Sequence, residues 1–209
     1  HFLMYIIYFQ NRKLVVCNKT HNIETDPEAV VYNNGIQHQN ITQIPHFFDN
    51  TPFIKSLYIV TPDPEPTFKT IFTNLIHINA GGGVVINNQG KYLLIFRGGK
   101  WDLPKGKQEP NEDIRMSAIR EVQEECGICN IEIQNHLCDT FHTFHRDNKF
   151  YLKKTRWYKM IYRGGCCCTK PQIEEDIEQA KWVDKESLHH YLKDTYPSIL
   201  DVFAALKLT

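Results

Sequence analysis

The sequence predicts an α/β fold, and three observations predict it. From residue 77 onward, short apolar runs of strand composition alternate with turn clusters and end in two helical stretches. One amphipathic helix, over about residues 112–126, interrupts those runs with its apolar side chains on a single arc. Ahead of both, residues 4–76 read as a separate small α+β unit, so the 209 residues divide into 4–76 and 77–209.

Each element has a local reason. Residues 4–8 and 14–17 are apolar runs joined by Gln10-Asn11-Arg12-Lys13, a hairpin pattern. Residues 44–50 suit a short helix and 56–60 a strand. Thr61-Pro-Asp-Pro-Glu-Pro66 is a turn or helix start before an amphipathic helix over 67–75. In the second unit, 78–86 is a strand carrying Gly81, Gly82 and Gly83, where a backbone or ligand approaches closely. Asn87-Asn88-Gln89-Gly90 turns the chain back into a strand over 91–96. Further strands are expected over 128–133, 137–144, 154–162 and 180–183, and helices over 185–192 and 198–206.

The central helix carries the chemistry. Asn111 reads as its N-cap, Glu112 and Asp113 suit its first turn, and Gly127 ends it. Glu121, Glu124 and Glu125 are spaced i, i+3, i+4 and share one arc. Ala118, Ile119, Val122 and Cys126 share another, facing the core. Three like charges on one face repel, and each i,i+4 like-charge pair costs a few tenths of a kcal/mol. A hard cation resolves the conflict. Mg²⁺ prefers oxygen ligands and is commonly shared between carboxylates and substrate phosphates.

The run from Gly106 to Ile128 fits Gly-x5-Glu-x7-Arg-Glu-(aliphatic)-x-Glu-Glu-x-Gly-(aliphatic) at every position. Chance agreement in one window is on the order of one in a billion at average residue usage. That disposes of a merely solvated acidic face. The stretch resembles the Nudix box, so the chain resembles the Nudix hydrolases over about residues 77–209. The resemblance implies an α/β/α sandwich with a mixed sheet and the box as loop–helix–loop. It implies Glu121, Glu124 and Glu125 as ligands of Mg²⁺ (Mn²⁺ the alternative), joined by the backbone carbonyl of Lys105. Arg120 would hold Glu121 in place. The base would be either a glutamate of the box itself or one of the acidic stretch before Trp182, Glu174 or Glu175.

The substrate is narrowed by Trp101-Asp-Leu-Pro-Lys-Gly-Lys107. This resembles the W-x-(L/F)-P-K-G-K lead-in of dinucleoside polyphosphate and diphosphoinositol polyphosphate hydrolases. Trp101, Lys105, Lys107 and Arg97 are therefore the candidate substrate contacts, the lysines as flexible point charges. Against that, Thr143 stands where ADP-ribose hydrolases usually carry a proline, and Phe144-His145-Arg146 where tetraphosphate hydrolases often carry a tyrosine. The reading is a pyrophosphohydrolase of a nucleoside diphosphate linked to another group. Dinucleoside polyphosphates rank first and ADP-ribose or nucleotide sugars second. A non-catalytic ligand sensor or interaction protein is the rival from another class.

Composition narrows the partners. Formal net charge is zero, which offers no polyanion footprint. Residues 4–76 hold five Lys/Arg against six Asp/Glu, a poor balance for a nucleic-acid binder. They suit dimerisation, giving a homodimer, or shaping of the substrate cleft. No apolar run is long enough to span a membrane. The expected ligand is a small nucleotide or polyphosphate. Met4 reads as the native start after a three-residue remnant, with no secretion pattern behind it. The seven cysteines read as reduced thiols of a cytoplasmic protein. His142 and His145 read as pocket or core residues rather than metal ligands.

Overall fold

The computed structural model describes residues 3–19, 28–33 and 40–207. His1, Phe2, Glu24 and Asp26, used in the readings above, lie outside them. The chain forms two compact units. One comprises His1–His77 and Phe141–Lys153, the other Ile78–Thr140 and Lys154–Thr209. Relative to a division at residue 76, a hairpin tip is added to the first unit.

The first unit is a sheet with two helices. Strand β1 (Met4–Phe9) pairs antiparallel with β2 (Arg12–Cys17). Strands β3 (Ala29–Asn33) and β4 (Ser56–Val60) run parallel, and β4 is also parallel to β2. A parallel pair needs a crossover, and here the chain between β3 and β4 carries α1 (Ile44–Asp49). Helix α2 (Pro64–Ile71) starts on a proline, whose missing N–H costs nothing at that position. Ile7, Leu14, Leu57, Ile59, Ile71 and Phe72 form the fully buried centre of this core. Arg12 holds the end of α1: its guanidinium donates to the carbonyls of Phe48 at 2.7 Å, Thr51 at 3.1 Å and Asp49 at 3.2 Å. A cation at those carbonyls also meets the negative end of the helix.

The second unit contains β5 (Ile76–Ile86), β6 (Tyr92–Arg97), β7 (Lys100–Asp102) and β8 (Lys105–Lys107). Helix α3 (Ile114–Cys126) follows, then β9 (Ile131–Arg146), β10 (Lys149–Tyr162) and β11 (Ile177–Val183). The chain closes with α4 (Leu188–Tyr191) and α5 (Pro197–Ala205). The sheet order is β11-β6-β5-β10-β9. Its two faces are apolar in alternation. Val85, Leu93, Ile95, Tyr158 and Met160 pack with Ala118, Val122 and Cys126 of α3. Val84, Tyr92, Leu94 and Trp157 pack with Leu188 of α4 and Ile199, Val202 and Phe203 of α5. A sheet covered on both faces needs apolar residues at both parities, and this one is an α/β/α sandwich.

Several sequence expectations are corrected. The strands expected over 128–133 and 137–144 are one strand, β9, because nothing between them forces a turn. Strands β3, β7 and β8 were not anticipated. The helix expected over 185–192 is shorter, α4 spanning one turn between 3-10 segments. Asn111 does not cap α3. It adopts φ 65° in the preceding loop, and the Asp113 side chain accepts from the Arg115 N–H at 2.8 Å. The sulfurs of Cys166 and Cys168 lie in contact, and Cys17, Cys126, Cys129, Cys138 and Cys167 are free thiols. His145 is exposed, stacked on Phe150 at 4.2 Å and bonded to Asp49 at 2.9 Å, so it is neither core nor pocket.

Candidate active site

Three short elements build the site: β8, α3 and the loop joining them. Strand β5 anchors β8, with Gly81 opposite Gly106 and Gly82 opposite Lys105. The glycines of β5 permit a close approach by α3. A Cβ on Gly81 would come within 2.7 Å of the Ala118 nitrogen and the Ile114 oxygen. The close neighbour expected from the sequence is therefore a helix backbone.

Gly106 has a sharper reason. A Cβ there would occupy the space of the Glu121 carboxylate. Glu121 is buried, 7% exposed, against this bare backbone. Burial pushes its pKa up, Arg120 pulls it down, and Glu175 and Glu124 add to the rise.

Arg120 organises one side of the cluster. Its Nε donates to Glu112 Oε1 at 2.8 Å and its Nη2 to Glu112 Oε2 at 3.1 Å, a bidentate pair. The Nη2 group also reaches the Lys107 carbonyl at 3.0 Å, tying helix to β8. Nη1 bridges Glu121 Oε1 at 2.9 Å and Glu124 Oε2 at 2.8 Å. Glu112 is held down at about 2, chiefly by the Arg120 hydrogen bonds. It also accepts from the Glu109 N–H at 3.0 Å, fixing the loop before the helix. Sequence reasoning placed Glu112 only in the first helical turn. Its fixed place in the box pattern, eight residues before Arg120, was the available signal.

Glu125 forms the other side and is fully buried. Its Oε2 accepts from the Lys105 N–H at 2.8 Å. Its Oε1 is buried with no hydrogen-bond partner, the nearest cation being Arg97 Nη1 at 3.7 Å. Burial pushes its pKa up to about 7, opposed by Lys105 and reinforced by Asp102 and Glu121. Asp102, missed from the sequence, is buried and accepts from the Leu103 N–H at 2.7 Å and from Lys105 Nζ. Lys105 is therefore not the flexible point charge expected: its ammonium is held on Asp102. Burial alone would lower its pKa, but Asp102 and Glu125 raise it overall.

The other expected contacts separate cleanly. Arg97 Nη1 lies 3.7 Å from both Glu125 Oε1 and Glu175 Oε2, so Glu175 joins the cluster. Glu174 is exposed and makes no such contact. Trp101 packs edge-on against Tyr191 at 4.8 Å, and its carbonyl accepts from Thr195 at 2.6 Å. That is a packing role. Lys107 is exposed beside the cluster. Among the described residues, no three acidic, histidine or cysteine side chains are arranged to hold an ion as they stand. Glu121 and Glu124 share one guanidinium nitrogen instead. The donor set nevertheless fits a hard cation. It offers carboxylate oxygens only, one of them buried without a partner, and such an atom costs about 1–3 kcal/mol or more if left unsatisfied.

A two-faced sheet with a helix that gathers glutamates round one arginine defines an α/β protein built on a carboxylate-bearing helix. The NUDIX domain family matches residues 77–205. The chain belongs to the Nudix hydrolase family. It is similar to the 8-oxo-dGDP phosphatase of Mus musculus, 27% identical over 146 residues, which cover 64% of this chain and 42% of that protein. It is also similar to the RNA pyrophosphohydrolase of Roseobacter denitrificans, 25% identical over 144 residues, covering 59% and 89%. The chain thus spans less than half the length of the mouse relative. Among solved structures, a MutT protein from Methanosarcina mazei Go1 superposes with TM-score 0.48 at 23% identity, covering 62% of this chain and 92% of that one. A C. elegans Ap4A hydrolase gives TM-score 0.46 at 21% identity, covering 62% and 95%.

Proposed function

We propose that the protein is a Mg²⁺-dependent pyrophosphohydrolase that cleaves a nucleoside diphosphate linked to a second group, dinucleoside polyphosphates first. The observation that carries this is the Glu125 carboxylate, fully buried beside Glu121 and Glu124, with no hydrogen bond to Oε1 and Arg97 Nη1 3.7 Å away. Glu121, Glu124 and Glu125 would hold the cation, with the Lys105 carbonyl as a further donor. Bound there, Mg²⁺ polarises the anhydride and offsets charge on the leaving phosphate.

The chain's own groups supply the rest. Arg120 positions Glu121 and Glu124. The Lys105 N–H orients Glu125. Glu175, 3.7 Å from Arg97 Nη1, would be the group of the acidic loop that accepts a proton from the attacking water; geometry ranks before pKa in that assignment. Arg97 stands ready to meet a phosphate oxygen. The names of the relatives add RNA and 8-oxo-dGDP to the substrates worth testing, beside ADP-ribose and nucleotide sugars.

Among the described residues, no helix is long and apolar enough to cross a membrane. A cytoplasmic homodimer through the N-terminal unit completes the proposal, in which Phe53, 80% exposed there, would be covered. Sedimentation across a concentration series tests the dimer. The catalytic reading is tested by a panel of polyphosphates assayed with and without Mg²⁺, beside Glu124→Gln. Metal-dependent turnover should fall by about 10²–10³-fold in the variant, the usual cost of losing one charge-stabilising group. A folded protein with no turnover on any member moves the weight to the sensor or interaction reading.

A further inference from the structure

A cleft of about 270 Å³ opens beside the box, lined by Asn79, Ala80, Gln108, Ile114, Lys154 and Arg156. Four of the six carry side-chain N–H donors, and none is aromatic. A flat base would find no stacking partner among them. The two cations are drawn together by Asp139: Lys154 Nζ lies 2.8 Å from Oδ2, and Arg156 Nε and Nη2 lie 3.2 and 3.4 Å from its oxygens. Together Asp139, Lys154 and Arg156 carry a net positive charge. Asp139 also fixes the guanidinium before any ligand arrives, which reduces the ordering cost of binding. Both cations remain more than one-third exposed, so they can still meet a ligand. Ile114 is the first residue of α3, which puts the positive end of that helix at the cleft.

The position relative to the carboxylates is set by the β5–β8 ladder. Gly106, against Glu121, pairs with Gly81, and the next pair is Lys107 with Ala80. One step further, the Gln108 N–H donates to the Asn79 carbonyl at 2.9 Å. The cleft therefore begins about 7 Å along the strand from the box glycine. That is the reach of a phosphate beyond the one held at the carboxylates.

We propose that this cleft binds a further phosphate of the substrate's chain, so that substrates with three or more consecutive phosphates are preferred over a diphosphate closed by a sugar. The proposal rests on the pyrophosphohydrolase reading above for its catalytic consequence, but not for the binding itself. Asp139 is then a positioning residue, and Asn79, Gln108, Lys154 and Arg156 are the phosphate donors.

Two variants test it. Arg156→Gln removes the fork, and Asn79→Asp places a negative charge at an exposed position with little change of shape. In steady-state kinetics with Mg²⁺, each should raise KM for diadenosine tetraphosphate at least about tenfold more than for ADP-ribose, the scale of one charged hydrogen bond. Their kcat values should stay close to wild type. Equal effects on both substrates, or none, would overturn the proposal. Calorimetric titration of inorganic tripolyphosphate into EDTA-treated protein separates the cleft from the metal site. Wild type should bind about tenfold more tightly than either variant. Identical affinities would sink the cleft even if the enzyme turns over. Absence of turnover with this difference intact would sink only the enzymatic reading.

Discussion

Glu112 and Glu125 belong to the same motif and face opposite electrostatic fates. Glu112 has both oxygens on one guanidinium and is held at about 2. Glu125 is fully buried, has one backbone donor, and is pushed up to about 7. The difference is not distance from solvent alone, since Glu112 is also largely covered. It is the number of donors each carboxylate has been given. The satisfied one is scaffolding. The under-satisfied one has a free oxygen in a buried setting, and a group kept in that state is a candidate for binding and catalysis.

The largest expected effect comes from disturbing the floor between these two regions. Gly106→Ala sets a methyl group where the Glu121 carboxylate lies. The carboxylate must move and release its bond to Arg120. We expect activity to fall at least about a hundredfold, the scale of a site displaced by an ångström. We also expect a loss of about 1–3 kcal/mol in denaturant unfolding, the usual cost of overpacking. Full activity in Gly106→Ala would show that Glu121 is not needed where the structure puts it.

A middle-sized effect separates the two carboxylates by pH. Glu112 has a lowered pKa, so its contribution is present above the ordinary value of 4.5 and is lost as pH falls towards about 2. Glu125 has a raised pKa, so the folded state binds the extra proton. Stability of metal-free protein should then decline as pH rises from 4.5 to about 7. Thermal melts in EDTA across that window should show the decline in wild type, and Glu125→Gln should flatten it. Adding Mg²⁺ should flatten it too, by favouring the charged form. A slope unchanged in Glu125→Gln would assign the effect to another group.

How much of this was legible beforehand follows from the range of each signal. The helix, its three glutamates and its terminal glycine were readable because their order is local and periodic. The two-faced sheet was readable from its apolar runs. Strands β7 and β8 were not, since three residues give no periodicity; they are strands because β6 and β5 pair with them. The N-cap moved by two residues because Asn111 tolerates a positive φ and so extends the loop. Asp102 was invisible because its importance depends on burial beside Lys105, a tertiary fact. Glu175 was distinguished from Glu174 only by Arg97, which arrives from β6.

The smallest effect on activity contrasts two lysines that look interchangeable in the sequence. Lys105 and Lys107 flank the same glycine, but Lys105 is half-buried on Asp102 and Lys107 is exposed. Lys105→Met leaves Asp102 buried without its cation, so unfolding should become easier by about 3 kcal/mol, the cost of breaking a buried pair. Lys107→Met removes no pairing of that kind, and its stability should stay within about 0.5 kcal/mol of wild type. If Lys107 meets substrate phosphate, the same variant should raise KM severalfold while kcat holds, the pattern of lost uniform binding. Equal destabilisation of both variants would mean that the ion pair with Asp102 contributes nothing. Unchanged KM in Lys107→Met would leave phosphate recognition to Arg97 and the cleft cations. The parity of the strand does not decide between these two roles, because successive side chains of β8 face opposite ways and Lys105 and Lys107, two apart, share a face. What separates them is therefore the end of the strand each occupies: Lys105 sits over Asp102 and Glu125, and Lys107 sits at the margin, where α3 is reached only through its carbonyl.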